Sequence, residues 1–198
     1  MLRRLELVRS FLYKPCMLNL KYNLSEEEFF DYNYYTTWAA PDKKGYRMRY
    51  YLRVFLLYGA VALLFILTSQ SQQMTVDFVV FGAIALTYFL LVPWLIKRSI
   101  RKRVDDILRQ PENGHVLGIS EITLTDYGII DKDESSETKY SWDAIVRKAE
   151  TPFCYYLYTN SHHAIVIPKR TIHHKEDQQE LERLLNAHLP LSSDFPEV

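Results

Sequence analysis

Two uninterrupted apolar blocks near the middle of the chain limit what it can fold into. Tyr50 to Thr68 reads YYLRVFLLYGAVALLFILT with Arg53 as its only charge, and Phe78 to Ile96 reads FVVFGAIALTYFLLVPWLI with none. At 1.5 Å per residue each 19-residue helix is about 28 Å long, close to the hydrocarbon thickness of a bilayer. The mean hydropathy of −0.18 conceals this, because it averages the blocks with a polar remainder. A chain of 198 residues has material for one domain and little more. It cannot wrap two helices that are apolar all round, so the blocks are expected to cross a membrane.

The flanks set the orientation. Ser69 to Asp77 (SQSQQMTVD) carries no Lys or Arg, whereas Lys43, Lys44, Arg47 and Arg49 precede the first block and Lys97, Arg98, Arg101, Lys102 and Arg103 follow the second. Basic loops stay on the cytoplasmic side, so both termini are expected there, with only the Gln-rich turn exposed outside. Arg53 can extend its head to the interface, and Tyr50, Tyr51 and Trp94 stand at aromatic-belt positions. Gly59, Ala60 and Ala62 come to the depth of Gly82, Ala83 and Ala85 in an antiparallel pair, which predicts close helix contact through small residues. Asp77 suits the positive end of the second helix dipole, and Pro93 lies near its cytoplasmic exit. No carboxylate, His or Lys lies at mid-depth, so a channel or transporter subunit is the weaker alternative. A pore would require a homo-oligomer.

Outside the blocks the periodicity changes. Residues 1–16 form a basic N-terminal extension without the apolar centre of a signal peptide, and Met17 is an alternative start to Met1. Met17 to Asn23 alternates apolar and polar residues as a half-buried strand does, and Ser25 with Glu28 forms a capping box for a helix to about Ala39, so 17–49 is a cytosolic strand and capped helix. Phe30, Tyr34 and Trp38 share one helical face, more suited to core packing than to lying on a membrane. Helical spacing runs on through Ile100, Val104 and Leu108, making 97–113 a basic stalk. From 114 to 189 short strands dominate: Val116 to Thr125, a turn at Asp126-Tyr127-Gly128, Ile129 to Asp131, a run from Tyr140, then Phe153 to Tyr158 and Ala164 to Ile167. A helix carrying Leu181, Leu184 and Leu185 closes the segment, and 190–198 is a tail. The fold class is α+β: a transmembrane hairpin (50–96) plus an antiparallel β domain capped by a C-terminal helix.

Three motifs carry a resemblance. Thr125-Asp126-Tyr127-Gly128-Ile129, Ser141-Trp142-Asp143-Ala144-Ile145 and Ile167-Pro168-Lys169-Arg170, in this order after a strand, a capped helix and a basic-flanked hairpin, resemble the YcxB-like membrane proteins of bacteria. The resemblance covers Met17 to about Leu189, and the pairing of Trp142 and Ile145 with the Ile167 motif is its most specific piece. It implies a cytosolic domain similar to pleckstrin-homology-like barrels at a bacterial inner membrane. It implies no catalytic residues.

The remaining chemistry is sparse. Adjacent histidines in a strand face opposite ways, so His162-His163 and His173-His174 each offer at most one ligand to a common site, and no metal is expected. No nucleophile motif, P-loop or GxGxxG occurs, so neither an enzyme nor a cofactor is expected. Cys16 and Cys154 lie in unrelated contexts and predict two reduced thiols. Trp142, Ile145 and Ile167 read as core anchors. Lys169 and Arg170, pushed into a loop by Pro168, are the candidate contacts for a partner or an anionic lipid headgroup. The formal net charge of zero argues against nucleic acid. It is also a cancellation: residues 41–103 hold ten basic and two acidic groups, residues 104–198 nine and seventeen. An acidic domain is repelled by an anionic leaflet, which shifts the expectation from headgroups to a protein partner of a membrane-anchored binding or regulatory module.

Overall fold

The computed structural model describes residues 17–68, 74–134 and 136–189. The extension 1–16 with Met1 and Cys16, the turn residues 69–73 and the tail 190–198 lie outside the described residues, whereas the alternative start Met17 is the first residue of the first strand. The chain divides into two compact units, residues 33–106 and a second unit that joins the described residues 17–32 to 107–189.

The joined unit is built from seven strands. β1 (Met17–Asn23) is followed by helix α1 (Glu26–Tyr34); after the intervening helical unit come β2 (Ile119–Thr125), β3 (Gly128–Lys132), β4 (Glu137–Tyr140), β5 (Arg147–Glu150), β6 (Cys154–Tyr158), β7 (Ala164–Pro168) and a C-terminal helix (Lys175–His188). They form two antiparallel sheets, β1-β2-β3-β4 and β5-β6-β7. β1 alternates strictly, burying Leu18, Leu20 and Tyr22, as the period of two requires. It pairs with β2 along its whole length, from Met17 opposite Thr125 to Asn23 opposite Ile119. The first strand before the apolar blocks and the first strand after them are therefore neighbours in one sheet. A division at residue 114 separates residues that the structure joins, because half of β2's backbone partners lie on β1.

One core fills this unit. Leu18, Leu20, Ile122, Leu124 and Ile129 from the first sheet meet Tyr155, Leu157, Ile165 and Ile167 from the second, and Leu181, Leu184 and Leu185 of the C-terminal helix close it. Trp142 and Ile145 are buried in the same cluster. The Tyr22 hydroxyl donates to the Val166 carbonyl and links the two sheets. Three expected boundaries shift. Tyr140, expected to open a run, is the last residue of β4 and is followed by a 3-10 turn at Trp142–Ala144, and β5 begins only at Arg147. Residues 111–117 form a 3-10 segment opened by Pro111, so β2 starts at Ile119 rather than Val116. The hairpin turn is Asp126-Tyr127, with Gly128 already in β3. A Cβ on Gly128 would lie 2.4 Å from the Tyr140 carbonyl oxygen, so close backbone approach is what excludes a side chain there.

The other unit is a helical pair. α1 passes at Tyr35–Ala39 into a π-turn, then a 3-10 turn at Pro41–Lys43 leads into α2 (Lys44–Thr68), and α3 runs from Met74 to Leu108. Both long helices are apolar enough to cross a membrane, and no residue of α2 is buried. Their contact differs from the small-residue expectation: a Cβ at Gly59 or Gly82 meets nothing within 4 Å. Aromatic residues fill the seam. The Tyr58 hydroxyl donates to the Phe81 carbonyl at 2.7 Å, Tyr50 and Tyr88 hydroxyls lie 3.3 Å apart, and the Tyr51 and Phe89 rings stack at 5.6 Å. Trp38 packs edge-on against Tyr46, Tyr50 and Tyr51, while Arg47 donates to the Trp38 and Ala40 carbonyls and ties off the chain entering α2.

Candidate functional site

The candidate site forms where β7 ends. Pro168 closes the strand, and Lys169–Thr171 make a 3-10 turn whose Lys169 amide donates to the Phe153 carbonyl, 2.8 Å away. The turn presents Lys169 and Arg170 in consecutive positions, and both side chains are met by carboxylates of the same chain. Lys169 Nζ lies 2.6 Å from Glu150 Oε1 and 4.7 Å from the centre of the Tyr155 ring.

Arg170 is held more completely. Its Nε donates to Glu28 Oε1 at 2.7 Å and its Nη2 to Glu28 Oε2 at 2.9 Å, a two-pronged grip, and Nη2 also reaches the Asn23 carbonyl at 2.5 Å. Glu28 is shared with the start of α1. The Ser25 amide donates to Glu28 Oε2 at 2.9 Å, and the Glu28 amide donates back to Ser25 Oγ at 3.2 Å, which completes the capping box. Burial alone would raise the Glu28 carboxyl. The Arg170 guanidinium and the Ser25 hydrogen bonds outweigh it and hold the group below the ordinary glutamate value. The same contact raises Arg170 above its usual value.

Around this pair lies a cavity of about 390 Å³, lined among others by Glu27, Glu28, Asp31, Phe153, Lys169 and Arg170. Phe153 is 63% exposed at its edge. Three carboxylates, two cations and a protruding ring make a mixed-charge cleft. It offers an aromatic anchor and polar contacts of both signs. Glu27, Glu28, Asp31 and Phe153 join the two cations named from sequence. The capping-box spacing pointed to Glu28's role at the helix, but nothing local pointed to its bond with Arg170.

The other two sequence motifs meet elsewhere in the same unit. Thr125 Oγ accepts from the Tyr127 and Gly128 amides at 3.2 Å each and so fixes the β2–β3 turn. The Trp142 indole N–H donates to the Thr125 carbonyl at 2.9 Å, and its ring stacks on His188 at 4.8 Å. Asp126 receives Arg183 Nη2 at 2.9 Å. Motif residues near 125, 142 and 167 thus tie the turn, the corner and the C-terminal helix to one core. Residues 124–185 match the family model described as YcxB-like protein. The chain carries a YcxB-like domain. No curated protein and no solved structure matches it. The match begins near the end of β2, so β1 and most of β2, which complete the four-stranded sheet, lie outside it.

The histidine pairs are not brought together into a donor set. His162 and His163 lie in the β6–β7 loop, where both backbone amides donate to Asn160 Oδ1 at 2.8 Å. Among the described residues no group of three or more His, Cys, Asp or Glu side chains converges as a metal site would need. Cys154 is fully buried in β6, and burial pushes its thiol up to about 12. Of the topology residues, Lys43 pairs with Asp42 at 3.7 Å, Lys97 lies 5.9 Å from the centre of the Tyr34 ring and Arg98 5.2 Å from that of Trp94.

Proposed function

We propose that the helices α2 and α3 form a transmembrane hairpin, and that the YcxB-like domain acts beside the membrane as a non-enzymatic binding or regulatory module for a protein partner. The observation that carries this is the pairing of β1 with β2 around the hairpin. Two strands can share a ladder only in one compartment, so the connection between them crosses a bilayer an even number of times. The two spans and their basic flanks agree with that count. The large exposed side chains of α2, among them Leu57, Leu64 and Leu67, would face lipid rather than water. Four- and three-stranded antiparallel sheets with one closing C-terminal helix support a pleckstrin-homology-like architecture, the Lys/Arg distribution supports cytoplasmic termini, and the bacterial inner membrane rests on the YcxB-like resemblance alone.

The mixed-charge cleft is the contact surface in this reading. Lys169 and Arg170 are already engaged by Glu150 and Glu28, and Glu27 and Asp31 line the same space, so an anionic headgroup would enter against carboxylates. A polypeptide with basic and apolar side chains fits better. The hairpin would raise the effective concentration of the domain toward such membrane-bound partners. The test places a photocrosslinking residue at Phe153 in the full chain in native membranes. A discrete protein adduct, lost when Asp31→Lys is added, is expected; adducts to lipid alone would overturn the reading in favour of headgroup binding. For topology, a reporter active only outside the cytoplasm should work when fused after Gln72 and fail at either terminus.

A further inference from the structure

Another cavity, of about 150 Å³, lies beside the hydrogen bond from Tyr22 to Val166. Tyr22, Phe29, Tyr32, Ser120, Asp131 and Val166 are among its lining residues. The register shows why Asp131 is anomalous. Leu20 pairs with Ile122, and Ile122 pairs with Asp131, so one cross-strand row on the inner face of the four-stranded sheet runs Leu20, Ile122, Asp131. The first two are 4% and 1% exposed. Asp131 holds the position where the strand pattern calls for a third apolar residue.

Among the described residues no cation pairs with Asp131. The neighbouring lysines have the opposite parity: Lys21 and Lys132 both flank Glu121 on the outer face. Burial, and the carboxylate of Asp133 after it, raise the Asp131 carboxyl above the ordinary aspartate value. An inward carboxylate without a partner costs stability, and such groups persist where a ligand supplies the missing charge.

We propose that this cavity is a binding site for a primary alkylammonium group, with Asp131 as its counter-ion and the aromatic residues Tyr22, Phe29 and Tyr32 as its walls. The chemistry matches on each count. A carboxylate pairs with the ammonium, aromatic faces attract cations and pack against an aliphatic stem, and Ser120 can accept one of the three N–H donors. The volume lies below the roughly 300–1,000 Å³ of pockets that hold drug-sized ligands, so it suits a single amine-bearing chain rather than a nucleotide or sugar. Tyr32 is fixed in place, with its hydroxyl donating to the His162 carbonyl at 2.5 Å and accepting from the Ala164 amide at 3.2 Å. The wall is therefore preformed.

The amine can belong to a free molecule or to a lysine side chain of another protein, and one experiment separates the two. The full chain in an uncharged maltoside detergent is titrated calorimetrically with cadaverine, with a short N-terminally acetylated peptide containing one lysine, and with the same blocked peptide acetylated also at that lysine. Saturable binding of either amine, silence of the acetylated peptide and at least a tenfold loss in Asp131→Asn are expected. Tighter binding of the lysine peptide than of cadaverine assigns the site to a protein side chain, and the reverse assigns it to a free amine. Asp131→Asn removes a half-buried charge on the inner face, so its melting temperature should equal or exceed that of the parent, which separates lost binding from lost folding. Absence of saturable binding by both amines, or binding by Asp131→Asn within twofold of the parent, would overturn the proposal.

Discussion

Glu28 and Arg170 stand 142 positions apart in the chain and are joined by two parallel N–H···O bonds of 2.7 and 2.9 Å. The bond ties the start of α1 to the turn after β7, and Asn23 adds a third contact to the same guanidinium. Arg170→Lys loses the forked geometry and Arg170→Ala loses the charge, leaving a buried carboxylate behind. Because Arg170 is half exposed, the cost should be modest, about 1–3 kcal/mol. A double-mutant cycle with Glu28→Gln, read by chemical denaturation, should return a favourable coupling; a coupling near zero would show that the pair is incidental.

The two unusual carboxyls act in opposite directions on pH. Glu28 is held below its unfolded value, so its contribution is present above that value and is lost as pH falls through the folded one. Asp131 is held above its unfolded value, so it destabilises the fold at neutral pH and that penalty fades on acidification. Melting temperatures from pH 7 to 3 should therefore fall less steeply in Glu28→Gln than in the parent. Asp131→Asn should melt higher than the parent at pH 7, with the gap closing toward pH 3.

Trp142 has two anchors beyond burial, the Thr125 carbonyl and the His188 ring. Trp142→Phe keeps an aromatic ring but abandons the carbonyl and part of the stack, at a cost of about 1–3 kcal/mol. Hydrogen exchange of the amides at 127 and 128 should quicken selectively, because Thr125 also organises that turn.

Gly128→Ala places a methyl group 2.4 Å from the Tyr140 carbonyl oxygen, with backbone on both sides of the contact. Neither strand can yield without breaking the β3–β4 ladder, so a loss of about 1–3 kcal/mol is expected from overpacking. A melting temperature equal to the parent's would show that the strands separate more easily than their register indicates.

Cys154 is fully buried, with its thiol pushed up to about 12. At pH 8 almost none of it is thiolate, so in a Cys16→Ser background maleimide labelling should be slow in the folded chain and rapid in denaturant. Equal rates in both states would place the thiol at an accessible surface.

The sequence by itself determined whatever depends on neighbours along the chain. Two apolar runs of bilayer length, the alternation of Leu18, Leu20 and Tyr22, the Ser25–Glu28 capping box and the leucine spacing of the last helix are all periodic or local signals, and each corresponds to an element at or near its expected place. Boundaries slipped where tertiary packing overrode local pattern, as at the 3-10 segment before β2. The glycines of the apolar blocks mark only permitted closeness, and aromatic residues such as Tyr58 and Phe81 make contacts between the helices. Only the tertiary structure decided that β1 completes the sheet of a domain whose other strands begin nearly a hundred residues later, and that Arg170 is bound by Glu28. Backbone ladders and ion pairs are chosen by which surfaces the closed core brings together, and no periodicity along the chain records that choice. Asp131 shows the same limit: its charge is plain in the sequence, but its place on the inner face appears only when Leu20 and Ile122 are aligned beside it.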